Sequence, residues 1–267
     1  MVAPLGLIAG KGELASILVR KLNADGLPLV VVTFDKSTKE AISKETKMVH
    51  RVGLGQADKV IKIFQKSGVE EVAFAGKVDK RALFENPVFD LRALSLLKNL
   101  DGLNDDAIMK AIVAEFEKEG FRVASQIEMF KDLFPGPGVL SKRAPGKKER
   151  ADIEFGMKMA KGIAALDIGQ TVIVRDSAVV AVEAIDGTDE TIERGGRIAK
   201  KGAVVLKVSK PEQDPRFDVP AVGLDTIETM IRVKATALAI EANKTLVIDM
   251  PAVLQTCNRG KIAFVAV

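Results

Sequence analysis

The chain has no tryptophan, no tyrosine, one histidine and one cysteine. Each scarcity excludes something. With phenylalanine its only aromatic residue, it offers no aromatic platform interleaved with basic side chains for stacking bases, so nucleic acid is not an expected partner. The single Cys257 rules out an intramolecular disulfide and a cysteine-rich zinc site, and is expected to pack as a small hydrophobe. His50 has no second histidine beside it, so it reads as a surface or strand-edge residue and not as part of a triad or metal cluster. Acid–base work must fall mostly to carboxylates and lysines. No apolar run approaches the ~18 residues that a spanning helix needs. The first residues lack the charged region of a signal peptide, which with the lone cysteine points to the cytoplasm.

What is present fits a globular chain of about two domains. It has 267 residues, 47% of them hydrophobic, enough for aliphatic cores. The net charge is +4, with no block of basic residues. That balance suits an anionic small molecule or an acidic membrane surface.

The first half alternates strands and helices. "PLGLIAG" is a strand ending in glycine, and Glu13 to Leu22 has helical spacing. "LPLVVVTF" reads as a strand buried on both faces. A helix from Ala57 to Ser67, the strand "VEEVAFAGKV", the helix "DDAIMKAIVAEFEKEG" and the strand "FRVAS" complete a parallel α/β pattern. Residues 134–148, "FPGPGVLSKRAPGKK", break the rhythm and read as a linker whose glycines can absorb rotation between domains 1–133 and 149–267. The second half opens with a helix from Glu149 to Ala165. Two β-rich runs then flank Arg175-Asp176-Ser177 as a hairpin. A helix over Asp189–Ala199, the strand "GAVVLKVSK", a helix over Asp225–Lys234 and strands in "ALAIEANKTLVID" and "IAFVAV" follow.

Three stretches carry candidate chemistry. Gly10-Lys11-Gly12-Glu13-Leu14-Ala15 fits G-x-G-x-x-G/A between a strand and a helix, where backbone N–H groups can approach phosphate; Asp35 is a candidate for a ribose hydroxyl. Gly76-Lys77 ends another strand and can converge with Gly10-Lys11 on one anion. In the second half Glu183, Gly187, Thr188 and Asp189 lie around a helix start, and Asp225-Thr226 opens another. Thr188, Asp189 or Asp225 alone reads equally as a helix cap. Lys207, Lys210, Gln213 and Arg216 give them functional company. Carboxylates suit Mg²⁺ and lysine or arginine suits phosphate, so the set fits metal-assisted attack on a phosphate ester. The apolar runs "TVIVRDSAVVAVEAI", "VLKV" and "IAFVAV", with Ile153, Phe155, Met157 and Met159, read either as a lipid-holding surface or as the second core. Lys142, Arg143, Lys147 and Lys148 are candidates for contact with an acidic leaflet.

Taken in order, "LGLIAGKGEL", "FAGKVDKR", "EGFRV", "AVEAIDGTDE" and above all "KVSKPEQDPRFDVPAVGLDT" (residues 207–226) closely resemble the LpxI family, UDP-2,3-diacylglucosamine pyrophosphatases of lipid A synthesis. The resemblance covers nearly the whole chain. It implies an N-terminal Rossmann-like α/β domain and a C-terminal α/β domain of distinct topology, with the ligand between them. It also implies Mg²⁺-dependent (or Mn²⁺-dependent) hydrolysis of a UDP-linked diacylated sugar to UMP and 2,3-diacylglucosamine 1-phosphate, and a homodimer that reaches the inner membrane only from its surface. The essential aspartate of the family's "PAVGxDT" motif is Asp225 here. On this reading Asp225, Asp214 and Asp218 are the catalytic candidates, and Asp225, Asp189 and Glu183 the metal ligands. Substrate contacts fall to Gly10, Lys11, Gly12, Gly76, Lys77, Gln170, Gly187, Thr188, Asp189, Lys207, Lys210, Gln213, Arg216, Gly223 and Thr226. Two departures from the family pattern are Gly12-Glu13-Leu14-Ala15 in place of "GxLP" and Lys210-Pro211-Glu212-Gln213-Asp214 in place of "KPGQD". The prolines would hold the charged loop in one geometry before ligand arrives, so that less entropy is lost on binding. The alternatives are a nicotinamide-dependent oxidoreductase using the Gly10-Lys11-Gly12 turn, which leaves that loop idle, and a non-catalytic glycolipid-binding protein.

Overall fold

The computed structural model describes residues 2–76, 78, 88–98, 100 and 105–267. The chain forms two compact units that divide between Met129 and Phe130. Among the described residues no helix is long and apolar enough to cross a membrane.

The first unit runs β1 (Leu5–Ala9), α1 (Glu13–Ala24), β2 (Leu29–Thr33), α2 (Lys36–Ile42), β3 (Val49–Arg51), α3 (Ala57–Lys66), β4 (Glu71–Ala75), α4 (Leu91–Lys98), α5 (Asp105–Lys118), β5 (Arg122–Val123) and α6 (Gln126–Met129). Its sheet is parallel, in the order β3-β2-β1-β4-β5. Every residue of β2, "LVVVT", is buried, as expected of a strand covered on both faces. The Cα positions of β1 and β4 are matched residue for residue, Ala9 opposite Ala75. Strand order reverses between these two, so the glycines that follow them mark the sheet's switch point, where ligands of open α/β sheets collect. His50 lies on the edge strand β3.

The second unit runs β6 (Gly138–Val139), α7 (Lys147–Ala165), β7 (Thr171–Arg175), β8 (Ala178–Val182), α8 (Thr188–Ala199), β9 (Val204–Lys207), β10 (Ala221–Val222), α9 (Leu224–Arg232), β11 (Ala237–Ile240), β12 (Leu246–Val247), α10 (Met250–Arg259) and β13 (Ala263–Ala266). Its main sheet has the order β6-β13-β11-β9-β7-β8, with β9, β11 and β13 parallel and the outer strands antiparallel; β10 and β12 form a small parallel pair. Helix α7 packs Ile153, Ala160 and Ala164 against Val172, Val204 and Leu206 on one face. On the other, Ile192 of α8, Ile227 and Met230 of α9, and Val253 and Cys257 of α10 pack with Ile173, Val205, Leu238 and Phe264. Cys257 is fully buried, and burial pushes its thiol up to about 12. Helix α10 was not anticipated, although Asp249 caps it by accepting from Ala252 N and Pro251 stands in its first turn.

The hairpin β7–β8 turns at Asp176 and Ser177, both in the left-handed region (φ 49 and 57), as the favoured two-residue turns require. The buried carboxylate of Asp152 accepts from both turn N–H groups, at 3.1 and 2.6 Å. The segment read as a linker behaves differently from a tether. From Gly138 onward it is built into the second unit: β6 pairs with β13, Phe264 N donates to Ser141 Oγ at 2.7 Å, and Arg143 forks onto Glu149 at 2.8 and 2.7 Å. Its prolines and glycines mark turns inside a unit, and composition alone does not distinguish the two. Most of the apolar runs are likewise spent in the core, while Met159, Val179 and Ile185 stay exposed. Val172, Ile173, Val174, Val204, Leu206 and Phe264 are fully buried, and Phe155 and Met157 pack against them.

Helix α8 carries Gly195-Gly196 in its interior, where each glycine costs ~1 kcal/mol against alanine. Packing explains it. A Cβ on Gly195 would lie 2.8 Å from Ile173 Cβ, and one on Gly196 2.3 Å from Val233 Cβ. These glycines let α8 lie close on β7 and beside α9. Gly196→Ala should therefore destabilise the protein by about 1–2 kcal/mol, overpacking outweighing the gain in helix propensity. Urea unfolding checks this; an unchanged or raised midpoint would show that α8 can shift outward without cost.

Candidate active site

Strands β9 and β11 end side by side at Lys207 and Ile240. At that edge α8 begins after Gly187 (φ 84) and α9 after Gly223, and neither helix has a side-chain cap. First-turn N–H groups are therefore left for a ligand, the arrangement that favours anions. Lys207 is only 9% exposed, a costly place for an ammonium. Its Nζ donates to Thr188 Oγ1 at 2.8 Å, Thr188 Oγ1 donates to Glu183 Oε1 at 2.8 Å, and Gln170 N donates to Glu183 Oε2 at 3.3 Å. Gln170 is held there because its carbonyl accepts from Val208 N at 3.0 Å, just past β9. Gly169 is needed because a Cβ would lie 2.2 Å from the Glu183 carbonyl oxygen. Thr226 Oγ1 donates to Asp189 Oδ1 at 3.3 Å, which joins the first turns of α9 and α8. Asp225, next to Thr226, is exposed and no described residue pairs with it. The helix caps are Gly187 and Gly223, so neither Thr188, Asp189 nor Asp225 is an N-cap.

The loop from 208 to 223 is ordered by its own charges. Lys210 Nζ meets Asp167 Oδ1 at 2.5 Å. Arg216 forks onto Asp214 at 2.9 and 2.7 Å, and its N–H adds a third bond at 3.0 Å. Gln213 Nε2 donates to the Asp218 carbonyl at 3.0 Å, and Asp218 takes a left-handed conformation (φ 53). Phe217 and Val219 are buried and anchor the loop. Asp214 thus serves to orient Arg216, and Asp218 is an exposed turn residue. The buried amide oxygens of Gln170 and Gln213 have no partner among the described residues. A buried orphan acceptor costs about 1–3 kcal/mol, so both are candidates for ligand donors.

Among the described residues no three His, Cys, Asp or Glu side chains group to hold a metal. Glu183 is engaged with Thr188 and Gln170 and does not join Asp189 and Asp225 in a cage. What remains, two exposed carboxylates on adjoining helix starts, fits Mg²⁺, which takes one or two carboxylates and completes its shell with phosphate and water.

In the first unit Gly12 (φ 102) starts α1 without a side-chain cap. Gly76 (φ 87) lies against the same turn: a Cβ there would be 2.7 Å from the Lys11 carbonyl oxygen. Gly10, Lys11, Gly12 and Gly76 are therefore brought together, while Lys77 and residues 79–81 lie outside the described residues. Asp35 is spent elsewhere. Its Oδ2 caps α2 by accepting from Thr38 N at 2.8 Å, and its Oδ1 is 3.6 Å from Lys11 Nζ. The Ser37 hydroxyl and the Thr38 N–H hold its carboxyl far below the usual range. Its Oδ2 is thus taken up by the start of α2, while its Oδ1 faces Lys11.

Two groups escaped the sequence reading. Arg194 Nη2 bonds Asp186 Oδ2 at 2.7 Å and the Val182 carbonyl at 2.9 Å, fixing the loop before Gly187. Glu241 lies just past β11 and is 9% exposed. Its Oε2 accepts from Lys161 Nζ at 2.5 Å, Ser209 Oγ at 2.8 Å and Ser209 N at 3.1 Å; Lys244 Nζ lies 2.8 Å from Oε1. No motif signals it, since the partners are 80 and 32 residues away.

Burial opposes the charge of Glu241, yet Lys161, Lys244 and Ser209 outweigh it and push the carboxyl down to about 2. A depressed carboxylate contributes stability above its unfolded pKa of 4.5 and loses it as pH falls through about 2. Glu241→Gln should therefore lower the thermal midpoint at pH 6 and show a shallower fall between pH 4.5 and 2 than the parent. Parallel midpoint curves for the two proteins would exclude this linkage.

Residues 4–133 match the LpxI N-terminal domain and residues 136–265 the LpxI C-terminal domain. The chain is 33% identical over 265 residues to the UDP-2,3-diacylglucosamine pyrophosphatase LpxI of Caulobacter vibrioides, covering 95% of this chain and 94% of that protein. Among solved structures, L-threonine dehydrogenase from Phytophthora infestans is 15% identical at a TM-score of 0.28, over 51% of this chain and 39% of that one. The biotin carboxylase domain of Hydrogenobacter thermophilus 2-oxoglutarate carboxylase is 13% identical at 0.29, over 75% and 41%. Similarity at that level has no bearing on function. Both halves are matched in order and one relative runs alongside almost the whole length: the chain belongs to the LpxI family.

Proposed function

We propose that this protein hydrolyses the pyrophosphate bond of UDP-2,3-diacylglucosamine, giving UMP and 2,3-diacylglucosamine 1-phosphate in lipid A synthesis. The relative from Caulobacter vibrioides bears the name of that activity. The observation that carries the reading is Asp225, exposed and, among the described residues, unpaired beside two uncapped helix starts and the buried Lys207–Thr188–Glu183 chain. First-turn N–H groups and the nearby Lys207 and Lys210 bind pyrophosphate oxygens. Thr188 and Glu183 hold the Lys207 ammonium at the strand end. Asp225 orients the attacking water and takes its proton as the new P–O bond forms. The bridging P–O bond breaks, and its electron pair leaves on the departing phosphate. Mg²⁺ or Mn²⁺, held by Asp189 and Asp225 with phosphate oxygens, would neutralise charge on the pyrophosphate.

The acyl chains need apolar surface that the core does not supply. Exposed aliphatic residues lie at the same edge: Leu166 and Ile168 precede Gly169, and Ile185 follows Glu183, against which Gly169 packs. They support a place for the chains beside the polar site. The basic residues first assigned to an acidic leaflet lie elsewhere. Arg143 bonds the Thr236 and Lys261 carbonyls, which precede β11 and β13 at the opposite ends of the parallel strands.

The purified protein should release UMP from UDP-2,3-diacylglucosamine with Mg²⁺ and lose that activity with a chelator. Asp225→Ala should lower turnover roughly a hundred- to ten-thousandfold at unchanged stability; near-normal turnover would refute the role. A photoreactive acyl analogue should label the segments around Leu166–Ile168 and Ile185. Labelling that avoids both segments would refute the acyl placement while leaving the hydrolysis intact.

A further inference from the structure

We infer that Glu241 is a positioning residue for the charged proline loop: it fastens the loop's first turn through Ser209 and, through the turn it begins, the strand that leads into Asp225. The loop leaves the main sheet at Lys207 and ends at Ala221, where the small β10–β12 pair begins. Its second residue, Ser209, is held at every polar atom. The N–H and hydroxyl donate to Glu241 Oε2 at 3.1 and 2.8 Å, and the carbonyl accepts from Lys161 Nζ at 3.2 Å. Glu241 N also donates to the Lys207 carbonyl at 3.2 Å. At the other end, the Glu241 carbonyl accepts from Thr245 N at 3.1 Å and closes the turn into β12. There Leu246 N donates to the Pro220 carbonyl at 2.9 Å and Ile248 N to the Val222 carbonyl at 2.8 Å. Val222 is followed by Gly223 and α9, whose first turn carries Asp225. One residue therefore sets the spacing between the lysine end and the aspartate end of the loop.

A carboxylate is the group this place requires. Oε2 faces an ammonium, a hydroxyl and an N–H, all donors, and Oε1 faces a second ammonium. Glutamine has the same shape, but it would turn an NH₂ toward donors on one side and leave Lys161, which is half-buried, without its counter-charge. The Glu241 carboxylate lies behind the loop, against Ser209 and Lys161, and the residue meets Lys207 only through its N–H on the Lys207 carbonyl.

The kinetic consequence rests on the hydrolase reading; the structural one does not. The test uses the full chain and its Glu241→Gln and Ser209→Ala variants. Trypsin can cut after Arg216 only when the loop opens, because Arg216 is forked onto Asp214 and Phe217 is buried. Glu241→Gln should be cut there about tenfold faster, and kcat for UMP release should fall by about tenfold or more with KM little changed, since displaced groups lose the transition state before the ground state. Ser209→Ala, which lacks one bond of the set, should fall between Glu241→Gln and the parent. Cutting at the parental rate in both variants would overturn the inference. So would faster cutting that merely tracks global unfolding in urea, with kcat unchanged, because Glu241 would then be a residue of stability alone. Faster cutting in a protein that releases no UMP would uphold the fastening and refute the hydrolase reading.

Discussion

A lysine ammonium almost out of water, at the end of β9, is the interaction on which the second unit's site depends. Lys207 Nζ donates to Thr188, whose hydroxyl donates in turn to Glu183, so a carboxylate stands behind the ammonium through one hydroxyl. That arrangement fixes much else. Thr188 must open α8, so α8 must start at the sheet edge, and Glu183 must turn inward from the end of β8. A glutamate so engaged is turned away from Asp189 and Asp225, so the divalent cation proposed above would fall to carboxylates that face solvent.

Fixed groups and ligand-ready groups sit next to one another. The pairs Arg216–Asp214, Lys210–Asp167 and Arg194–Asp186 hold loops that would otherwise cost entropy to order on binding. Beside them, the first turns of α8 and α9 lack side-chain caps and Asp225 has no partner among the described residues. The buried orphan oxygens of Gln170 and Gln213 belong with these unfilled positions. A site of this kind gives up local stability at the places where a highly charged ligand supplies it. The first unit shows the same economy on a smaller scale, with Gly76 pressed on the Gly10-Lys11 turn and Asp35 committed to a helix.

The sequence by itself determined which segments become strands and helices, because hydrophobic period and glycine stops are local properties. β2, α1, α3, β7, β8, α8 and β9 all fall where the patterns put them. It also determined the order of the motifs and, through them, the family. Only the tertiary structure decided which charges meet. Lys207 and Thr188 are 19 residues apart, Ser209 and Glu241 are 32, and Lys161 and Glu241 are 80. Such pairs exist because β9 lies between β7 and β11, an order set by burial of whole faces and invisible to any local pattern. For the same reason a proline- and glycine-rich stretch became a strand edge and turns instead of a tether, and most of the apolar runs that read either as lipid surface or as core became core: composition records what a segment can do, and the neighbours that the fold brings to it settle which of those it does.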